Sequence, residues 1–365
     1  MSLESCKNLL LKAAAIVVGA AALAGTLLLV LGVAGGRGPL GRPHVAAAAR
    51  PQPFLPSLGS LVRIVDQVHA RTVRAHVRAV RRRYEPKPRT RSAATISLYE
   101  RTTSAVVVAR QGCLAAKRGA IGVVVLDFGK PSYNGHTYGT MLFSGVFAGN
   151  REITRAMAGY AHGYVHCLPR GSEDRIALAR GTSNYHPSVP SVYRAGRKWA
   201  RETMALQRVL RARGLDGHVV SAAADDVEPA WDPSFWRTRD FYRGYADSRV
   251  GHALYNYGSL DGGIVSGVWN AHQAFFVTGG MRYAHAIPEI YSRAMAREWA
   301  ALAQVAKHRY HRLIRFAGVM TERTAGNHGV KPRDAHRMLV RELAAQGRGT
   351  AASKVPASYT NIKAY

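Results

Sequence analysis

The chain has 365 residues, 47% of them hydrophobic and 20% charged, so it can bury a sizeable core; 51 basic against 22 acidic residues leave a net charge of +29. Three cysteines (Cys6, Cys113 and Cys167), with no CxxC pair and no Cys/His ladder, exclude a disulfide scaffold and a structural zinc fold. The 36 glycines and 16 prolines follow no G-X-Y period, which excludes a collagen-like chain.

Residues 13–36 carry no charge and follow Lys7 and Lys12. About 20 apolar residues suffice to span a bilayer, so residues 1–36 read as a signal anchor with the rest of the chain exported. Ala46 to Ala49 offer small residues for cleavage, which would make the protein secreted instead. Residues 37–100 read as a Gly/Pro/Ala-rich linker followed by a basic amphipathic helix. Its apolar stripe is Leu61, Ile64, Val65, Val68, Val73, Val77 and Val80, its other faces carry Arg71, Arg74 and Arg78, and Pro86 and Pro88 end it. Such a helix either lies on anionic headgroups or packs its valines on the globular part.

From about residue 101 short apolar runs alternate with longer amphipathic ones. The runs at 120–127, 176–181, 218–224, 253–257, 274–278, 287–291 and 313–320 read as strands, and 105–109 as a possible extra strand before them. Helical patterns fall at 153–165, 192–213, 233–245, 294–310 and 332–345. This alternation predicts βα units in a parallel sheet, and about 225 residues suit a (β/α)8 barrel of TIM type, with irregularity where the connection at 168–175 is short. The expected barrel domain is 101–348, with 349–365 as a tail. No G-x-G-x-x-G follows the run at 120–127, which argues against a dinucleotide-binding sheet, and no cofactor is expected.

Polar residues follow each run, and in a parallel barrel such positions ring one mouth. Asp226-Val227-Glu228 is the most informative. Side chains alternate along a strand, so Asp226 and Glu228 share a face with Cα atoms about 6.6 Å apart. Two nearby carboxylates disfavour double ionisation, which leaves one able to act as an acid. Pro229 biases Glu228 toward extended backbone. Asp127 is either a third member of that site or an acceptor for backbone N–H groups in the Gly129 turn. Glu289 is another acid if it faces inward, and an arginine partner if it does not. Asn184, Tyr185, Trp231, Tyr255 and Tyr257 supply amide and ring surfaces suited to carbohydrate, and 130–150 reads as a long loop over the mouth. His162 and His166 have helical metal spacing, but Gly163 stands where a zincin carries Glu, so no metal is expected. Cys113 and Cys167 are either a disulfide or two buried thiols.

Asp127 after a first strand, D-x-E at Asp226 and Glu228, and aromatic Tyr255 and Tyr257 on the next strand together resemble the family 25 glycoside hydrolases. They are also similar to the related glycoside-hydrolase-like domains of exported actinobacterial proteins. The likeness covers roughly 120–325 by element order. It implies an irregular β/α barrel acting on peptidoglycan-type glycan, with Glu228 as proton donor, Asp226 as its partner and Asp127 as the first-strand acid. The chain departs from the family at the second strand, where Arg180-Gly181-Thr182-Ser183-Asn184-Tyr185 replaces a K-A-[ST]-E-G-like motif. The expected function is an exported glycoside hydrolase of a cell-envelope glycan, or alternatively a non-catalytic barrel binding envelope polysaccharide or a protein partner. No RRM, zinc-finger or helix-turn-helix pattern accompanies the arginines, so no specific nucleic acid is expected.

Overall fold

A computed structural model describes residues 93–322, 330–346 and 355–364. The expected anchor and basic helix lie outside the described residues, among which no helix is long and apolar enough to cross a membrane.

Eight parallel strands form the body of the fold. They are β1 (Ala93–Tyr99), β2 (Gly122–Asp127), β6 (Ile176–Ser183), β7 (Val219–Asp226), β8 (Leu254–Asn256), β9 (Ala284–Ala286), β10 (Val319–Thr321) and β11 (Ser358–Ala364). They neighbour one another in chain order, and β11 pairs with β1 from Ala93↔Ser358 to Tyr99↔Ala364. Between β9 and β10 only the bridges Ala286↔Phe316 and Glu289↔Met320 close the ring. The result is a nearly closed α/β barrel of TIM type.

The first clear apolar run shows why the strands are continuous in hydrophobicity. A barrel strand is buried on both faces, by the interior and by the helix layer. Thus Val123 and Val125 join Ala177, Ala179, Ala222, Ala224 and Ile362 inside the barrel. Val124 and Leu126 point outward against the helices α1 (Ala105–Lys117) and α2 (Asn150–His166). Further round the ring α3 (Val192–Ala212) and α4 (Trp236–Asp247) cover β6 to β8, and α5 (Arg293–Tyr310) and α6 (Pro332–Ala345) cover β9 to β11. The α1–α2 contact is close because Gly163 has no side chain; a Cβ there would lie 1.9 Å from the Ala109 carbonyl oxygen. Beside it, Cys113 and Cys167 form a disulfide across 5.0 Å between Cα atoms, which resolves their expected alternatives.

Four expectations are corrected. The barrel does not run from 101 to 348, because Ala93–Tyr99 and Ser358–Ala364 are both strands of its sheet. Residues 105–109 open α1 and are not a strand. The run at 274–278 is helical, ending the short helix Ala271–Phe275 and entering the π-helical turn Phe276–Gly280. The stretch 130–150 is not an irregular loop but the antiparallel sheet of β3 (Lys130–Tyr133), β4 (Tyr138–Met141) and β5 (Phe147–Gly149). Gly129 turns the chain into that sheet at φ +84°, and a Cβ on it would meet the Met141 carbonyl oxygen at 2.2 Å.

Candidate functional site

Strand alternation decides which carboxylates face the mouth. On β2 the inward series Val123, Val125 ends in Asp127, and on β7 the series Ala222, Ala224 ends in Asp226 with Glu228 beyond it. After β9 the same alternation carries His285, Ile287 and Glu289 inward, where Glu289 bridges to Met320. Asp127, Asp226 and Glu289 are buried, at 0%, 6% and 5% exposure, while Glu228 is only half-buried and reachable from solvent.

These groups perturb one another. Burial pushes the Asp127 carboxyl up to about 7, against the pull of the Gly129 N–H and the Tyr257 hydroxyl. Burial also pushes Glu228 up to about 7, with the Asp261 and Glu322 carboxylates adding to it. Asp226 lies well above the ordinary carboxylate range because it is buried and then because Glu289, Glu228, Asp127 and Asp225 repel its charge. Glu289 is raised in the same way, by burial and then by Glu228, Glu322 and Asp261. Among the described residues the ion pairs lie elsewhere, and none joins Asp127, Asp226, Glu228 or Glu289 to a lysine or arginine. Glu289 thus faces inward without the arginine partner that was its alternative. Asp226 Oδ1 is buried with no hydrogen-bond partner. Asp127 takes the turn role expected of it, Oδ1 accepting from the Gly129 N–H at 2.8 Å, and its side chain also faces the barrel interior.

Glu228 is held by its main chain. Asn184 Oδ1 accepts from the Glu228 N–H at 3.1 Å, and Asn184 Nδ2 donates to the Glu228 carbonyl at 3.0 Å and to Thr238 Oγ1 at 3.1 Å. Thr238 is anchored in turn on Asp232 Oδ2, through its N–H at 2.8 Å and its hydroxyl at 2.9 Å. Asn184 was expected to bind substrate; instead its amide is consumed in this clasp, and it positions the acid. Glu228 has the extended backbone expected before Pro229, at φ −115° and ψ 123°. One turn later the Ala230 N–H donates to Asp261 Oδ2 at 2.8 Å, tying the β7 tip to the segment after β8.

The aromatic residues divide. Tyr185 is 45% exposed and meets half-buried Trp231 edge to face at 5.4 Å between ring centroids. The Lys130 Nζ lies 5.4 Å from the Tyr185 ring centre. These two rings stand at the rim. Tyr257 is buried level with Asp226, next after the Asp225↔Asn256 pair, and donates to the Thr182 carbonyl at 3.2 Å. Tyr255 pairs in register with Ala224, one inward position below Asp226, and belongs to the interior packing. Expected at the rim, Tyr255 is a core residue, because it lies one inward position below Asp226 and Tyr257 and is buried there.

Three residues outside the expected set face the same place. Tyr99 ends β1 pointing inward, half-buried, with its ring 4.9 Å from exposed Phe143; burial and then Asp226, Glu289, Glu322 and Asp127 raise its hydroxyl pKa. The Tyr291 hydroxyl donates to Glu289 Oε1 and, at 3.3 Å, to Glu322 Oε2. Glu322 and Tyr291 were legible as polar ends of their runs; Tyr99 was not, because its strand reads as linker. No group of three or more His, Cys, Asp or Glu among the described residues is arranged to hold a metal ion.

No family model and no curated protein matches the chain. The geometry therefore carries the functional reading alone. What the arrangement offers chemically is a half-exposed acid titrating near neutrality beside a buried, charge-sharing set of carboxylates, flanked by exposed rings.

Proposed function

We propose that this protein is a glycoside hydrolase of a cell-envelope glycan, with Glu228 as general acid. The observation that carries the reading is the convergence of Asp127, Asp226, Glu228 and Glu289 on one barrel mouth, with only Glu228 open to solvent. A glycosidase acid must hold its proton at working pH and reach the leaving oxygen, and Glu228, pushed up to about 7, does both. Whichever of Asp226 and Asp127 is ionised then stabilises the oxocarbenium-like centre or activates water, the charge acting in a poorly solvated place. Tyr185 and Trp231 offer ring faces for a sugar beside the acid.

The disulfide between Cys113 and Cys167 supports a location outside the cytoplasm, since such bonds persist in oxidising compartments. The uncharged stretch 13–36 supports delivery there, either as a membrane anchor or as a cleaved signal. Glu228→Gln tests the role directly. Release of reducing ends from purified wall glycan is expected to stop in that variant while its circular dichroism stays unchanged. Unchanged cleavage would remove the role. Glycan binding by the unaltered chain without any cleavage would instead support the non-catalytic carbohydrate-binding barrel.

A further inference from the structure

The charge distribution around the mouth narrows what kind of sugar it accepts. Asp127, Asp226, Glu228, Asp261, Glu289 and Glu322 are six of the 22 acidic residues in a chain of net charge +29. Five of them act on one another's ionisation, with Asp261 adding to Glu228 and Glu289. For Asp127, Asp226, Glu228 and Glu289 no salt bridge to a lysine or arginine is found among the described residues. The nearby Lys130 stands over the Tyr185 ring instead.

Asp226 adds an independent constraint. It is 6% exposed, and its Oδ1 receives no hydrogen bond from the protein. An ionised carboxylate removed from water is costly unless a donor or counter-charge meets it. Here Oδ1 has no such donor among the described residues, and the side chain ends the inward series of β7 at the mouth. In the free protein burial and the neighbouring acids therefore keep a proton on this carboxyl, and a cation arriving with the ligand is what would let it ionise.

Sugar classes differ in what they bring. A uronic acid brings a like charge, which the cluster repels. A neutral sugar brings hydroxyl donors but no charge. An N-acetylated amino sugar brings a single N–H and a carbonyl acceptor that meets other acceptors. A free amino sugar brings an ammonium group with three donors and a positive charge. Resting on the carbohydrate reading above, we propose that the glycan bound at this mouth contains free amino sugars of glucosamine type, with the ammonium group seated on the Asp226 carboxylate within the ring of acids.

The test is binding of the full-length chain, in detergent, to three oligosaccharides of equal length, followed by calorimetry. The probes are tetraglucosamine, its fully N-acetylated counterpart and tetragalacturonate. Tetraglucosamine is expected to bind about tenfold or more tightly than the N-acetylated tetramer, as a charge-assisted hydrogen bond implies, with tetragalacturonate weakest. Asp226→Asn and, separately, half-buried Glu322→Gln are each expected to shrink that preference, as is raising the salt to about 0.5 M. The inference is overturned if the acetylated or acidic tetramer binds as tightly, or if the preference survives in both variants. Preferential binding without cleavage would uphold it while removing the hydrolase role. If none of the three binds, the carbohydrate reading and this inference fall together.

Discussion

Glu100 and Glu228 are both pushed up to about 7, and in both cases burial is the largest cause. Their surroundings differ completely. Glu100 follows Tyr99 on the outer side of β1, is 0% exposed, and takes one hydrogen bond from Gln111 Nε2 of α1 at 3.3 Å. Glu228 stands half-open at the mouth among other acids. A shifted carboxyl therefore marks a desolvated place, and only access distinguishes a working acid from a structural one.

The strongest way to break this contrast is Glu228→Gln. Loss of general acid catalysis is expected to lower the turnover of wall glycan by about 10²- to 10⁴-fold, with the melting temperature nearly unchanged. A rate equal to that of the unaltered chain would put Glu228 in the same class as Glu100. The disulfide offers a control far from the mouth. Its cysteines are 54 residues apart, so replacing both by serine is expected to cost about 4 kcal/mol by loop entropy in chemical denaturation, with kcat unaffected where the chain is folded.

Glu100→Gln sharpens the comparison from the other side. The folded-state pKa of Glu100 is raised from 4.5 to about 7, so the native state holds this proton more firmly than the unfolded chain. Its stabilising contribution is full below pH 4.5 and is lost as pH rises through about 7. The unaltered chain should therefore be less stable at pH 8 than at pH 5, with Glu100 supplying on the order of 3 kcal/mol of the difference. In Glu100→Gln that share of the slope disappears and stability at pH 8 rises, while glycan turnover stays the same. A flat pH profile in the unaltered chain would contradict this. The smallest effect is expected from Asn184→Ala, which frees the Glu228 main chain. A stability loss of about 1–3 kcal/mol should accompany a fall in kcat, since the acid loses its position and not its proton. An unchanged pH optimum in this variant is the readout that separates positioning from titration.

Sequence alone reached the barrel class and the shared inward face of Asp226 and Glu228 for the same reason. Strands β2, β6 and β7 are buried on both faces, so their runs are mostly apolar, interrupted only by Arg180 and Ser221 before their polar ends. Strand β1 escaped because its inward residues are small and polar. Thr95 donates to the Val123 carbonyl, and Ser97 Oγ lies 2.8 Å from Thr360 Oγ1 of β11. The barrel interior between β11 and β2 is thus filled partly by hydroxyls bonded to each other, which leaves no continuous apolar run. Tyr99 was lost with it. The run at 274–278 misled in the opposite way, since a short apolar stretch buried in a helical turn has the same composition as a buried strand. Asn184 has a residue type right for sugar binding, while its place just past β6, turned to the Glu228 main chain, became clear only with the register Ser183↔Asp226.

The barrel also joins the beginning of its sheet to its end. β1 finds its second neighbour only in β11, a strand that follows the first by more than 250 residues, as Ala93↔Ser358 records. During synthesis or translocation from the amino end, the first strand must wait with one edge unpaired until the last segment has emerged. Removing the final strand would leave that edge permanently exposed, inviting another chain to complete it.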